Sequence, residues 1–236
     1  MIETINLNKR FGKLQALNNI SVHCQSQHSI ALIGPNGCGK TTLIKSILGM
    51  VVPDSGNIIF KGKNIKKDYT YRNHIGYMPQ IGRYPDNMTI GQVLDMIINI
   101  RSFQGALDED LIHEFGLHQM KDKRMRTLSG GTRQKVSACL SFLFNPDVLI
   151  LDEPTAGLDP IASEQLKEKI ILEKQKGKLI LITSHLLSEL DDMITQLIFM
   201  QEGCLIFHKN IDELRAETGE DRISKAIAYI LKNQKA

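Results

Sequence analysis

The chain has 236 residues, of which 42% are hydrophobic and 23% charged, and its formal net charge is +3 at pH 7. This ordinary globular balance suits one large α/β domain, or one domain with a small insertion. The only dense basic stretch, residues 121–126, is typical of a solvated loop, so the composition gives no indication of nucleic-acid binding.

The cysteines and the N-terminal sequence indicate the cellular compartment of the protein. Cys24, Cys38, Cys139 and Cys204 form no CxxC pair and lie at no zinc-ligand spacing from a histidine, which predicts a reducing compartment and no structural metal. The N-terminus lacks a basic segment followed by an apolar run, and no stretch approaches about 18 apolar residues. We therefore expect a cytoplasmic protein, or one bound to a membrane surface through another protein.

The first part of the chain predicts short strands separated by turns. In chain order, the expected elements are strands at 2–7, 20–23 and 29–33, a helix at 40–48 and a strand at 58–60.

The middle of the chain is helical in pattern. Thr89 can cap a helix, a short helix covers 110–115, and another begins near Ser129 and continues to residue 143.

The chain then returns to alternating strands and helices. The expected elements are strands at 148–151 and 179–183, a helix at 160–176 and a helical tail at 211–232. Unbroken apolar strands alternating with helices predict a parallel sheet that is covered on both faces.

A glycine-rich motif joins the strand at 29–33 to the following helix. It reads Gly34-Pro35-Asn36-Gly37-Cys38-Gly39-Lys40-Thr41 and matches the phosphate-binding pattern GxxxxGK[ST]. Backbone N–H groups and the helix N-terminus can surround a β-phosphate, while Lys40 reaches the β- and γ-phosphates and the Thr41 hydroxyl can bind Mg²⁺. Cys38 fills a position for a small residue, or it is a redox-sensitive thiol activated by Lys40 and the helix N-terminus.

Two carboxylates end the strand at 148–151. Successive residues that leave a strand point in different directions, so Asp152 can face Mg²⁺ while Glu153 faces the γ-phosphate. His185 follows the strand at 179–183, and parallel strands end at a common crevice. We therefore expect His185 to contact the γ-phosphate.

A second candidate anion site precedes the helix that begins near Ser129. It reads Leu128-Ser129-Gly130-Gly131-Thr132-Arg133-Gln134, and exposed N–H groups at such a helix start bind anions. One nucleotide site has little need for two phosphate cradles. This predicts that the second cradle serves a nucleotide held by another copy of the chain.

Taken together and in this order, the motifs resemble those of the ABC ATPase family. Residues 34–42, which include Thr42, are similar to the Walker A motif, and residues 148–153 are similar to Walker B with its catalytic glutamate. Residues 128–134 resemble the LSGGQ signature, with Thr132 in place of the usual glutamine. The remaining matches are Gln80 to the Q-loop, Asp159 to the D-loop, His185 to the H-loop and Phe11 to the aromatic residue that stacks on adenine.

The resemblance implies a fold and a mechanism. The fold is an α/β P-loop NTPase core with a parallel sheet, an N-terminal antiparallel β subdomain and a helical insert. The core covers residues 1–84 and 144–210, the insert 85–143, and the C-terminal helical tail 211–236 of a single ABC ATPase domain.

In the implied mechanism two copies meet head to tail around two ATP molecules. Glu153 activates water, and His185 and Lys40 contact the γ-phosphate. The metal residues are Thr41, Gln80 and Asp152, which serve Mg²⁺ directly or through water. Ser129, Gly130 and Gly131 bind the ATP of the other copy, and Asp159 lines the dimer seam. The substitution at Thr132 affects only the fine geometry.

The resemblance also implies a membrane partner. Residues 81–88 correspond to a groove for a cytoplasmic helix of an integral-membrane permease, to which Tyr84 and Met88 could contribute apolar contacts. Residues 214–220 and 226–228 resemble ATPases of the NosF kind, which act with a NosY-type permease in copper-site maturation of nitrous oxide reductase. Related multidrug-type exporter ATPases share much of this pattern, so both assignments stay open.

Other P-loop classes fit the sequence less well. A soluble ABC ATPase of the DNA-repair type needs a long coiled-coil insert, and the translation-factor type has two such domains. A GTPase needs an Asn-Lys-x-Asp motif, which does not occur in the sequence.

Overall fold

The computed structural model describes residues 1–190 and 192–233. Its strands are β1 Ile2–Phe11, β2 Leu14–Cys24, β3 Ser29–Ile33, β4 Ser55–Phe60, β5 Lys63–Asn64, β6 Ile75–Met78, β7 Val148–Asp152, β8 Leu179–Thr183, β9 Gln196–Gln201 and β10 Cys204–Asn210. Its helices are α1 Lys40–Ile47, α2 Ile90–Arg101, α3 Asp110–Glu114, α4 Gly130–Phe142, α5 Pro160–Gln175, α6 Ile211–Thr218 and α7 Ile223–Asn233. Short 3-10 turns cover Thr70–His74, Leu117–Met120, Met125–Thr127 and Leu187–Glu189. None of the helices in these residues is long and apolar enough to cross a bilayer.

The chain divides into two compact units. The first comprises Met1–Tyr71 and Leu179–Ala236, and the second comprises Arg72–Lys178. The predicted core, helical insert and tail have other boundaries, and that division stays a prediction. Residues 234–236 of the predicted tail lie outside the described residues.

The first unit contains an antiparallel sheet with the strand order β2-β1-β4-β5. It also contains a sheet in which β3 pairs in parallel with β8 and β9, while β10 is antiparallel to β9. All 5 residues of β3 and all 5 of β8 are buried, as expected for apolar strands covered on both faces. The strands predicted at 29–33 and 179–183 are therefore confirmed.

The tail of the first unit differs from the single predicted helix. It forms α6 and α7, because α6 ends at Gly219 with φ +68° and the Gly219 N–H donates to the Arg215 carbonyl. Glycine reaches this left-handed conformation without steric cost and so ends the helix. The face of α7 buries Ile223, Ala226, Ile227 and Ile230. It packs against α6 and the turn Leu187–Glu189.

The second unit combines a parallel strand pair with helices. β6 lies beside β7, with Ile75 opposite Val148 and Met78 opposite Leu151. Helix α4 packs on β6, and α3 packs on α4 and α5. The approach of α4 is so close that a Cβ atom on Gly76 would lie 1.9 Å from the carbonyl oxygen of Ser141.

Thr89 caps α2 as predicted. Its hydroxyl accepts a hydrogen bond from the Gln92 N–H (3.2 Å), and the Gln92 side chain accepts one from the Thr89 N–H (2.9 Å). This reciprocal capping box satisfies two N–H groups that the first turn of a helix leaves unpaired.

The strands β5, β6, β9 and β10 were not predicted from the sequence. β9 and β10 form a hairpin whose turn residues, Glu202 and Gly203, have φ values of 51° and 77°. Two positive φ values match the strand twist of a tight hairpin. The Glu-Gly pair between two apolar runs was the available signal. The short β6 carries a glycine and gives no such signal.

Lys169 of α5 forms a buried charge cluster in the second unit. Its side chain is 4% exposed, and its ammonium donates to both carboxylate oxygens of Asp108 (2.9 and 2.7 Å) and to Asp110 (2.7 Å). The cluster ties the segment that precedes α3 to α5.

Glu173 extends this cluster. Its side chain is 0% exposed, and its carboxylate lies 3.4 Å from the Lys169 ammonium and 2.7 Å from that of Lys176. Burial by itself raises the pKa of a carboxyl group, but hydrogen bonds from Lys176 and Lys178 hold the pKa of Glu173 below its ordinary value. Glu173 is therefore charged at neutral pH, and Lys169 is its buried neighbour of opposite charge.

We predict that Lys169→Met lowers the free energy of unfolding by roughly 3–5 kcal/mol, because it leaves the largely buried Asp108 carboxylate without its ion-pair partner and removes one of the three ammonium groups around Glu173. Lys167→Met on the same helix is the matched control, since Lys167 pairs with Glu164, whose side chain is 67% exposed. The control should change the free energy by less than about 1 kcal/mol. Urea denaturation followed by circular dichroism measures both. Equal stability of the two variants would contradict a structural role for Lys169.

Candidate active site

The glycine-rich loop between β3 and α1 is confined by neighbouring backbone. A Cβ atom on Gly34 would lie 2.0 Å from the Met200 carbonyl oxygen, and one on Gly39 would lie 2.3 Å from that of Ala16. Gly39 also has φ +107°, and Gly37 has φ +79° with open space around it. At Gly34 and Gly39 there is no room for a side chain, whereas at Gly37 the positive φ favours glycine.

Lys40 turns back over this loop. Its ammonium donates to the carbonyl oxygens of Gly34 (2.7 Å) and Pro35 (3.1 Å) and lies 3.8 Å from the Cys38 sulfur. The cation therefore lies at the loop that the sequence predicts to bind phosphate. Pro35, Asn36 and Gly37 are exposed at the tip of the loop.

Cys38 is packed inside the loop. Its residue is 3% exposed, its N–H donates to the Pro35 carbonyl, and its carbonyl accepts from the Gly203 N–H (3.1 Å). This burial favours the space-filling role over the redox hypothesis, because a reactive thiol must be accessible.

Four other predicted site residues lie in the first unit. Thr41 is exposed and Thr42 is half-buried at the start of α1. Phe11, at the end of β1 opposite Leu14, leaves 48% of its surface exposed, and the Lys9 ammonium lies 5.3 Å from its ring centroid. His185 is exposed in the bend that follows β8.

In the second unit, the end of β7 brings two predicted residues together. Asp152 ends the strand and is 8% exposed, and Glu153 follows with φ +52°. The Gln80 side-chain amide, beyond the end of β6, donates to Oε2 of Glu153 (3.0 Å). A left-handed conformation costs a residue with a side chain about 1 kcal/mol or more, and such strain clusters at functional sites.

The charge of Asp152 affects the pKa of Tyr77 in β6. Burial and the Asp152 carboxylate together raise the pKa of Tyr77 to about 12. The phenol therefore stays neutral at physiological pH, and it lies next to an acidic group that the sequence assigns to metal binding.

Ser129 caps α4, the helix that the second candidate cradle opens. Its hydroxyl accepts a hydrogen bond from the Thr132 N–H (3.2 Å) and lies 2.9 Å from the Thr132 hydroxyl. Ser129 and Gly130 are exposed, and a Cβ atom on Gly130 would meet nothing within 4 Å. Thr132, the residue that departs from the commonest signature, thus contacts the serine directly.

The same helix start packs on the segment that follows Glu153. A Cβ atom on Gly131 would lie 2.7 Å from the Gly157 carbonyl oxygen. Asp159 caps α5 by accepting from the Ala162 N–H (3.0 Å), and it pairs with Lys135 of α4 (2.7 Å). Hydrogen bonds from Lys135 and from the Ala162 backbone lower the pKa of Asp159. Backbone contact and ion pair together link the two segments.

A cavity of about 270 Å³ follows Gln80. Its lining consists of Ile81, Gly82, Arg83, Tyr84, Asp86, Met125 and Arg133. The Tyr84 hydroxyl is hydrogen-bonded with the Ser137 hydroxyl (2.9 Å), and burial raises the pKa of Tyr84. Tyr84 thus lines the cavity, whereas Met88 lies outside its lining, and the contacts of both residues with a permease stay a prediction.

The comparison with protein families decides the assignment. The model of the ABC transporter family matches residues 17–156, a range that contains the glycine-rich loop, Ser129–Gly131 and Glu153. The chain belongs to the ABC transporter family.

Curated relatives agree with this assignment. The lantibiotic transport ATP-binding protein SrtF of Streptococcus pyogenes is 33% identical over 213 residues, which cover 90% of this chain and 92% of SrtF. The bacitracin transport ATP-binding protein BcrA of Enterococcus faecalis is 32% identical over 91% of this chain and 70% of its own length. The solved structure of an ATP-binding subunit of an ABC transporter superimposes with a TM-score of 0.89 at 26% identity, over 97% of this chain and 98% of that one.

These comparisons confirm the predicted fold class, an α/β ABC ATPase core with parallel strands and an antiparallel N-terminal sheet. The chain is an ABC ATPase: it binds ATP, and the reaction that it catalyses is ATP hydrolysis. The NosF-type assignment gains no support, because these relatives bear the names of antibiotic transport systems.

Sequence reasoning missed the partners of several site residues. It gave Gln80 a role at Mg²⁺ but not its hydrogen bond to Glu153, and it gave Asp159 a role at the seam but not its ion pair with Lys135. Arg133 also donates to the Leu128 carbonyl (3.1 Å). No sequence pattern specifies these partners, although Arg133 lies within the signature segment 128–134 and Lys135 follows it directly.

We predict that Gly131→Ala lowers the free energy of unfolding by roughly 1–3 kcal/mol, because the added methyl group collides with the Gly157 backbone. Gly130→Ala is the matched control. It meets open space and should be neutral, or more stable by up to about 1 kcal/mol, since alanine favours helix over glycine. Urea denaturation without nucleotide compares the two. If both variants are destabilised equally, the signature does not depend on this close packing.

Proposed function

We propose that this ABC ATPase powers export through an integral-membrane permease, as a head-to-tail homodimer that encloses two ATP molecules. One observation supports the dimer: an exposed serine cap and an exposed glycine open the 13-residue helix α4, where we propose a second phosphate cradle. A helix start with unpaired N–H groups and a positive dipole end attracts phosphate. The glycine-rich loop already supplies one such cradle per chain.

Within one chain, the proposed roles follow the chemistry of each side chain. Lys40 leaves its carbonyl partners for the β- and γ-phosphates, as the loop N–H groups surround the β-phosphate. Phe11 presents an exposed ring on which adenine can stack. His185 donates a hydrogen bond to the γ-phosphate. The backbone of Gly34–Thr41 and the side chain of Thr42 complete this proposed nucleotide site.

The Thr41 hydroxyl, the Gln80 amide oxygen and the Asp152 carboxylate each offer the hard oxygen ligand that Mg²⁺ prefers. We assign these three residues to hold the ion, directly or through water. When bound, Mg²⁺ neutralises charge on the β- and γ-phosphates.

Glu153 is the proposed general base. It accepts a proton from the attacking water, whose oxygen forms a bond to the γ-phosphorus while the bond to the bridging β,γ-oxygen breaks and ADP leaves. The hydrogen bond from Gln80 fixes the carboxylate at the end of β7. Because Gln80 is also an assigned Mg²⁺ ligand, binding of the metal and positioning of the base are coupled.

The second copy completes the site in this proposal. Ser129, Gly130 and Gly131 of one chain face the γ-phosphate held by the other, and Asp159 lines the seam. The Thr132 hydroxyl, 2.9 Å from that of Ser129, holds the serine at the helix start. Closure requires ATP between the chains, and loss of the γ-phosphate removes the ligand that joins them.

The cavity beyond Gln80 is the proposed permease contact. Ile81 in its lining is 72% exposed, and the half-buried Tyr84 adds an aromatic ring. Its first residue, Ile81, is adjacent in sequence to Gln80, which bonds to Glu153. A permease helix seated there would contact the segment that positions the base, and the ATPase would lie on the inner face of the cell membrane.

Two cargo classes can be proposed. The names of SrtF and BcrA favour transport of an antibiotic, whereas maturation of a copper site with a NosY-like permease rests only on the resemblance of the tail, of residues 79–81 and of residues 128–134. We therefore put export first. The cargo itself would be recognised by the permease.

We predict that Glu153→Gln retains ATP binding, lowers turnover by about 10²–10⁴-fold and accumulates an ATP-bound dimer, because glutamine keeps the shape but cannot accept the proton. Glu164→Gln, an exposed change on α5, is the control and should behave as wild type. Phosphate release and light scattering with ATP and Mg²⁺ measure both properties. Turnover at the wild-type rate would refute Glu153 as the base.

We predict that Ile81→Asp abolishes co-purification with a co-expressed permease, while the isolated ATPase keeps its activity, because the change replaces the exposed apolar side chain at the cavity with a charge. Ile100→Asp places the same charge at a site that is equally exposed (71%, compared with 72% for Ile81) but outside the cavity. It should leave the complex intact. Retention of the permease by Ile81→Asp would exclude this cavity as the contact.

A further inference from the structure

Three metal-binding side chains meet on α3 and the turn that follows it. Glu109, His113 and His118 each place one ligand atom so that all three atoms lie within 4.8 Å of one another. The rings of His113 and His118 have centroids 4.5 Å apart, and Nε2 of His113 lies 3.9 Å from Oε2 of Glu109. None of these residues belongs to the nucleotide site predicted above.

The backbone holds this arrangement. The His113 N–H donates to the Glu109 carbonyl, which places the two residues one helical turn apart on the same face. Gly116, with φ +63°, then reverses the chain into the turn Leu117–Met120, which brings His118 back over that face.

The residues between the three ligands anchor the segment. Leu111, Ile112, Phe115 and Leu117 are at most 6% exposed, whereas His113 and His118 are exposed. The scaffold is therefore fixed by its buried side, while the ligands can rotate. A tetrahedral ion with bonds of about 2.1 Å needs ligand atoms about 3.4 Å apart, which exposed side chains reach by rotation.

We propose that Glu109, His113 and His118 bind a divalent transition-metal ion of the Zn²⁺ class, with a fourth position open to water. Two imidazoles and a carboxylate are a ligand set that zinc uses in proteins. Mg²⁺ prefers an all-oxygen set, so this site is chemically distinct from the proposed Mg²⁺ site at the nucleotide. The zinc-ligand spacing considered in the sequence involved cysteines, whereas this Glu-x₃-His-x₄-His pattern contains none.

The cysteines compete weakly for the same ion. Cys24, Cys38 and Cys139 are buried, and burial raises the pKa of Cys24 to about 12. Cys204 is partly exposed and is the competitor that the experiment must exclude.

The test titrates the full chain, without nucleotide and with any affinity tag removed, with Zn²⁺ in excess Mg²⁺. We expect saturable binding of one ion per chain. His113→Gln and His118→Gln should each weaken Zn²⁺ binding by at least about tenfold. Even the loss of a group that only hydrogen-bonds to a metal ligand typically weakens metal binding by about 10–100-fold. His74→Gln is the matched control. His74 is an exposed histidine of the same unit, and it also pairs with a carboxylate, that of Asp147 (2.7 Å). It does not belong to a group of three metal-binding side chains among the described residues.

Substitution with Co²⁺ gives an independent signature. A tetrahedral nitrogen–oxygen site should show visible absorption without thiolate charge-transfer bands, and the bands should disappear in His113→Gln with the fold unchanged by circular dichroism. Absence of saturable binding, binding that survives both histidine substitutions, or binding lost in Cys204→Ser would each overturn the proposal. None of these outcomes depends on ATP turnover, so the proposed function stands or falls separately.

Discussion

Burial of three apolar strands on both faces is the constraint on which the site depends. Every residue of β3, β7 and β8 is buried, so polar groups can leave these strands only at their ends. The glycine-rich loop follows β3, Asp152 ends β7, and His185 lies just beyond β8. In each unit, the predicted site residues thus lie at strand ends, where backbone groups and side chains can bind phosphate or metal.

Within the second unit, a set of direct contacts joins the residues proposed for hydrolysis to the signature segment 128–134. Gln80 holds Glu153, the Gly157 carbonyl lies against Gly131, and Lys135 binds Asp159. The segment that carries the base and the helix start that offers the second cradle are therefore one packed body. If that cradle binds the nucleotide of another copy, a displacement of the cradle is transmitted to the chain's own base through these contacts.

The sequence was sufficient for features that are local. The loop at Gly34–Thr41, the Thr89 cap and the unbroken apolar strands are each written in a few consecutive residues, and the structure places them as expected. Contacts between distant segments could not be predicted, because nothing near Gln80 specifies Glu153 as its partner. The tail was predicted as one helix, but the polar stretch 217–222 separates its apolar residues, and the positive φ of Gly219 within that stretch ends α6. The cluster of Glu109, His113 and His118 was missed because it depends on a chain reversal at Gly116.

The central claim is that each ATP is shared between two copies of the chain. The measurement that tests it most directly is the structure of the Glu153→Gln variant with ATP and Mg²⁺. The account predicts two chains around two nucleotides, with each γ-phosphate contacted by Lys40 of one chain and by Ser129 of the other. A nucleotide contacted by Lys40 and Ser129 of the same chain, or a monomer saturated with ATP and Mg²⁺, would contradict it.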